Sequence, residues 1–89
     1  MVLEIGASIG ALILYAPASL DGQEIEISRA GVSRRTHSVV RHRETGTYAA
    51  VYPDLPAGDY AIWRPDGDQV QVMTTTIAGG QVTSCHWPD

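Results

Sequence analysis

Apolar and polar residues alternate with a period of two along most of this chain, the spacing of strands that bury one face and wet the other. Over residues 23–29 the order Gln-Glu-Ile-Glu-Ile-Ser-Arg sets Ile25 and Ile27 on one face and Glu24, Glu26 and Ser28 on the other. The alternation recurs over residues 47–52, 59–63, 69–75 and 81–87. Between these stretches stand Asp21-Gly22, Thr45-Gly46, Ala57-Gly58-Asp59, Pro65-Asp66-Gly67 and Gly79-Gly80, all residues that tolerate positive φ or preset a turn. Turn signals at such short, regular intervals predict an all-β chain, an antiparallel two-sheet sandwich of about seven strands. Gly79-Gly80 suits a tight hairpin. No segment of helical period reaches helix length, and a single helical turn fits over residues 17–20.

The apolar run Ile9–Ala16 breaks the alternation, and Ala16-Pro17-Ala18 behind it resembles a small-residue cleavage site. A secretory signal carries positive charge ahead of its apolar stretch. Here the only charge before Ile9 is Glu4. The run is also short of the roughly 18 apolar residues of a membrane span. It is expected to be a core strand, with no membrane span.

The chain has 89 residues and a formal net charge of −4. That length predicts one domain over residues 1–89 with a thin stability margin, because a domain this small buries only about 60% of its unfolded surface. Cys85 is the sole cysteine, so no internal disulfide can form, and a reducing, cytoplasmic setting is expected.

The run Tyr-Ala-Ala-Val-Tyr-Pro-Asp-Leu-Pro-Ala-Gly-Asp-Tyr-Ala-Ile-Trp over residues 48–63, followed by Val70, Val72 and Ala78-Gly79-Gly80-Gln81-Val82, resembles the second half of transthyretin-like (prealbumin-like) domains, including the carboxypeptidase regulatory-like modules. Locally, Leu55 plugs the end of the sandwich, Gly58 permits the turn and Tyr60 starts the next strand pointing inward. The resemblance implies a fold and, for function, an accessory, adhesion or ligand-binding unit. The overall pattern also resembles small bacterial proteins labelled phospholipases, without a catalytic motif to carry it, so a small hydrolase of phospholipase or esterase type stands as the alternative.

Candidate chemistry is sparse, and no cofactor or metal is expected. His37 and His42 are five residues apart, which on one strand puts them on opposite faces. Cys85 and His86 are adjacent and would likewise face apart, so this histidine is badly placed to take this thiol's proton. Asp54, Asp59, Asp66 and Asp68 stand in turn contexts where Asp bonds its own backbone.

The least bland feature is electrostatic. All six basic residues are arginine; Arg29, Arg34, Arg35, Arg41 and Arg43 fall in one stretch with His37 and His42 and no carboxylate, leaving all ten carboxylates against Arg64 elsewhere. If residues 37–43 form one strand with Val40 inward, then Ser38 and His42 share the inner face while His37, Val39, Arg41 and Arg43 project outward in a cationic row that Arg34 and Arg35 extend. Such a row suits an acidic protein surface, an anionic small molecule or a second subunit, because arginine presents a fixed fork of donors to oxyanions. The plainer reading, preferred from sequence, is an edge strand kept soluble, its arginines paired with Glu24 and Glu26. Nucleic acid is not expected, given the sequence pI near 5.1 and the absence of lysine. Trp63, facing outward beside Arg64, is either an anchor for a partner or a sugar ring, or packing under the turn at residues 65–68.

Overall fold

The computed structural model describes residues 8–65 and 70–88. Within them lie β1 (Ile9–Ala16), β2 (Glu24–Arg29), β3 (Arg35–Val39), β4 (Arg41–His42), β5 (Tyr48–Pro56), β6 (Gly58–Trp63), β7 (Gln71–Ile77) and β8 (Val82–His86). A 3-10 turn at Ala18–Leu20 answers the helical turn expected after Pro17. No helix among the described residues is long and apolar enough to cross a membrane.

The strands make two four-stranded sheets, ordered β4-β5-β1-β8 (the first sheet) and β3-β2-β6-β7 (the second). Every pairing is antiparallel except β1 with β8, which is parallel. The alternation read from the sequence decides what meets between them. Leu12, Leu14, Ala50 and Tyr52 of the first sheet face Ile25, Ile27, Ile62 and Ile77 of the second, all of them buried. Tyr52 carries the one polar tip among these side chains, and its hydroxyl donates to the Ile25 carbonyl at 2.7 Å, tying the sheets together. Burial raises this phenol's pKa well above its ordinary 10.0, with the nearby Cys85 adding to the effect.

The corner between β5 and β6 is built as the sequence predicts. Leu55 and Tyr60 are buried, Gly58 sits at φ 146°, and the Tyr60 hydroxyl donates to the Pro56 carbonyl at 2.6 Å.

Two expectations meet a different outcome. Residues 37–43 are not one strand: the chain leaves the second sheet after Val39 and enters the first at Arg41. Val40 between them is fully buried, donates its N–H to Gln23 and accepts from Gly22, both at 2.9 Å. A β-branched apolar residue at the crossing is drawn into the core and turns the chain with it. Gly79-Gly80 is not a hairpin either, since β7 and β8 belong to different sheets; the Gly80 N–H, at φ 74°, reaches the Ile9 carbonyl at 2.8 Å instead. The sandwich has eight strands among the described residues, because that crossing divides the arginine segment into two. The turn expected at Pro65-Asp66-Gly67 and the start of the strand expected from Gln69 lie outside the described residues.

Candidate functional site

Because the arginine segment switches sheets at Val40, its outward side chains look out from opposite sides of the sandwich. Arg35 and His37 stand on the outer face of the second sheet, where register sets His37 beside Glu26 and Arg35 beside Ser28. Arg41 stands on the outer face of the first sheet beside Ala49. The single cationic row is therefore two groups, and their surroundings differ.

On the second sheet the charges are met within the molecule. Arg35 Nη1 donates to Glu26 Oε1 at 3.0 Å, and its guanidinium carbon lies 4.0 Å from the centroid of Trp63. Trp63 Nε1 donates to Ser28 Oγ at 2.9 Å. The indole thus lies across the sheet under Arg35 rather than standing as a free anchor; most of the turn at residues 65–68, under which its packing is expected, lies outside the described residues. His37 Nε2 is 3.8 Å from Glu24 Oε2 with both side chains 61% exposed, a weak, solvent-screened contact. Both ion pairs found among the described residues belong to this face. Arg34 is exposed at a separate cleft of about 280 Å³ that Asp54, Leu55 and Tyr60 also line.

The first sheet is different. Arg41 pairs with Ala49, Ala49 with Tyr15, and Tyr15 with His86, so one row of residues crosses all four strands on the outer face. Apart from Asp54 near the end of β5, the strands of this sheet contain no carboxylate. Arg41 is exposed and has no ion pair among the described residues. Arg43 is held: its Nη2 donates to the Ala49 carbonyl at 2.9 Å, while its Nε is buried without a hydrogen-bond partner. The Arg43 N–H donates to Thr47 at 2.7 Å, and Gly46 at φ 86° donates back to Arg43 at 2.9 Å, closing the hairpin that Thr45-Gly46 predicts.

Aromatic rings surround the far half of that row. Tyr15 and His86 are stacked with centroids 5.1 Å apart and planes 25° apart. Tyr48, one strand over and on the same side of β5 as Ala50 and Tyr52, packs against the core and is stacked on His42 at 4.8 Å. A cleft of about 560 Å³ opens between Tyr15, His86 and Tyr48 and the hairpin residues Thr45, Gly46 and Thr47. The hydroxyls of Thr45 and Thr47 are 2.8 Å apart. A second cleft, of about 240 Å³, shares Tyr15, Ala16 and His86 and continues to Pro17 and Trp87.

Neither Tyr15 nor Tyr48 stands out as a site residue in the sequence, and His86 enters there only as a metal ligand or as a base for Cys85. The signal that joins Tyr15 to His86 is the parallel pairing of the first and last strands, which leaves no local motif.

Cys85 and His86 do point apart. Cys85 pairs with the buried Leu14 and is half-buried, whereas His86 is exposed on the outer face. Burial raises the thiol's pKa, a hydrogen bond with Thr75 partly opposing it, so this sulfur is held protonated rather than activated. Among the described residues no group of three His, Cys, Asp or Glu side chains is placed to hold a metal ion.

No protein-family model matches the chain, and no curated protein matches it. Among solved structures it is similar to a leucine-rich repeat protein from Bacteroides thetaiotaomicron, with a TM-score of 0.54 and 17% identity. The match covers 92% of this chain and 12% of that one, so it is a likeness of fold to a small part of a much longer protein.

Proposed function

We propose that this chain is a non-catalytic binding module that holds an anionic partner at the arginine-bearing end of the first sheet, with Arg41 as an exposed cation that has no ion pair among the described residues and Arg43 as a fixed one beside it. The observation that carries this reading is the contrast between the two outer faces. Arg35 and His37 have Glu26 and Glu24 as neighbours, whereas Arg41 faces solvent from a sheet whose only strand carboxylate is Asp54. An unneutralised guanidinium offers an oxyanion a forked, charge-assisted contact. Arg35, His37 and Trp63 then serve the fold, and Arg34 stands apart.

The sandwich is read as transthyretin-like on its Leu55–Tyr60 corner, and likeness to a small part of a leucine-rich repeat protein fits an accessory unit of a longer chain. A hydrolase draws no support from Cys85 and His86, which face opposite ways with the thiol protonated.

The test is retention on a carboxylate-bearing cation exchanger at neutral pH. A molecule of net charge −4 flows through such a resin unless a cationic patch is presented locally. Retention at low salt, released by moderate salt and lost in Arg41→Ser but kept in Arg35→Ser, is expected. Flow-through of the unaltered protein at low salt would sink the proposal.

A further inference from the structure

The two clefts at the end of the first sheet are arranged for a particular kind of anion, and we infer that the partner is an acidic carbohydrate chain, its sugar rings carried on the Tyr15–His86 pair and a carboxylate held by Arg41. This rests on the anion-binding reading of the same sheet and names the partner's class.

Three features converge on it. First, Tyr15 and His86 stack on one another, rings 5.1 Å apart and 25° from parallel, and both line each of two clefts, so that the outer ring faces are what a ligand meets. One of these clefts runs on to Tyr48, at the edge of the core, and the other to Trp87. Open, aromatic-walled and continuous past its centre, the site suits a chain of rings better than one enclosed molecule. The C–H faces of pyranose rings are flat and apolar and pack against aromatic faces.

Second, the polar atoms at the wider cleft are those that hydroxyl groups need. Thr45 and Thr47 both donate and accept, as sugar hydroxyls do, and their hairpin is held rigid by the Arg43–Thr47 and Gly46–Arg43 hydrogen bonds. No carboxylate and no guanidinium lines this cleft, so the rings themselves are met by neutral groups.

Third, the cation is in register with the platform. Arg41, Ala49, Tyr15 and His86 lie in one row, and at about 4.8 Å per strand Arg41 stands two strands, about 10 Å, from Tyr15. That backbone spacing sets the cation's strand apart from the stacked rings, which fits an anionic group borne elsewhere on the chain than the ring that stacks. An acidic peptide offers the rings no flat saturated face. A nucleic acid offers faces to stack, but its backbone asks for more cations than this sheet presents.

Isothermal titration with four probes of similar length decides the matter: an oligogalacturonate, a neutral malto-oligosaccharide, a polyglutamate and an oligothymidylate. The oligogalacturonate is expected to bind at least tenfold more tightly than each of the others. Arg41→Ser should weaken it about tenfold and remove most of its salt dependence, whereas His86→Ala, at an exposed position, should weaken it about tenfold and leave the salt dependence intact. Tyr15→Phe, which keeps the ring, should retain most of the affinity, separating stacking from folding. If polyglutamate or oligothymidylate binds as tightly as the oligogalacturonate, the sugar assignment is wrong and the anion-binding reading survives. Equal binding of the malto-oligosaccharide, or no binding of any probe, removes both.

Discussion

Arg35 lies over Trp63 at 4.0 Å although the two stand on β3 and β6, with β2 between them, and Glu26 holds the same guanidinium from the side at 3.0 Å. The indole is pinned from below as well, by its bond to Ser28. Because the arginine covers one ring face, Arg35→Ala should expose the indole and cost about 1 kcal/mol, the sum of a lost cation–π contact and a half-exposed ion pair. In a Trp87→Phe background, tryptophan emission should shift to the red. An unchanged spectrum would mean that the stack does not persist in solution.

Gly58 carries a double constraint. Its φ of 146° suits residues without a Cβ, and a Cβ built there would come within 2.9 Å of Arg29 Nε. Gly58→Val is therefore expected to destabilise by more than about 1 kcal/mol in urea unfolding. Adding Arg29→Ala should recover only part of the loss, because the backbone strain remains. Full recovery would assign the whole effect to the arginine.

Arg41 and Arg43 should separate in stability. The half-buried guanidinium of Arg43 donates to the Ala49 carbonyl, whereas Arg41 is exposed. Arg43→Ser is expected to cost about 1 kcal/mol, and Arg41→Ser less than about 0.5 kcal/mol, in urea midpoints. Equal midpoints for the two variants would contradict the distinction.

Alkaline conditions should weaken the fold. Burial raises the pKa values of Cys85 and Tyr60, and that of Tyr52 most, so each group ionises more readily in the unfolded chain than in the folded one. Their contribution is fully present below the ordinary thiol and phenol values of 9.0 and 10.0 and is lost as pH rises through and beyond them. Melting temperature should be flat near neutrality and fall on the alkaline side. Cys85→Ala should make the first part of that fall shallower; an identical profile would show that the thiol does not contribute.

What was legible in the sequence was local. Ile25 and Ile27 alternate with Glu24 and Glu26 in any sheet, so β2 reads correctly without its neighbours, and the corner of Leu55, Gly58 and Tyr60 is written in contiguous residues. The crossing at Val40 was not legible, because a period of two looks the same when the chain passes from one sheet to the other with an apolar residue inward. Gly79-Gly80 announced a turn without saying which sheet the chain would join. Arg41, Tyr15 and His86 form one row only through three strand pairings, and β8 meets β1 from the far end of the chain. Such a site is a property of topology, and no spacing rule finds it.

The parallel pairing of β1 with β8 also sets how the molecule answers to force. Residue 9 and residue 86 lie at opposite ends of this pair of strands, whose outer rungs run from the Gly80 N–H to Ile9 and from the Trp87 N–H to Tyr15. Tension applied through these two strands slides one along the other and loads every rung together, whereas tension across an antiparallel hairpin such as β6–β7 peels its rungs in turn. Threaded into a longer chain and held at both ends, this sandwich would act as a stiff link that resists extension until the whole ladder shears at once.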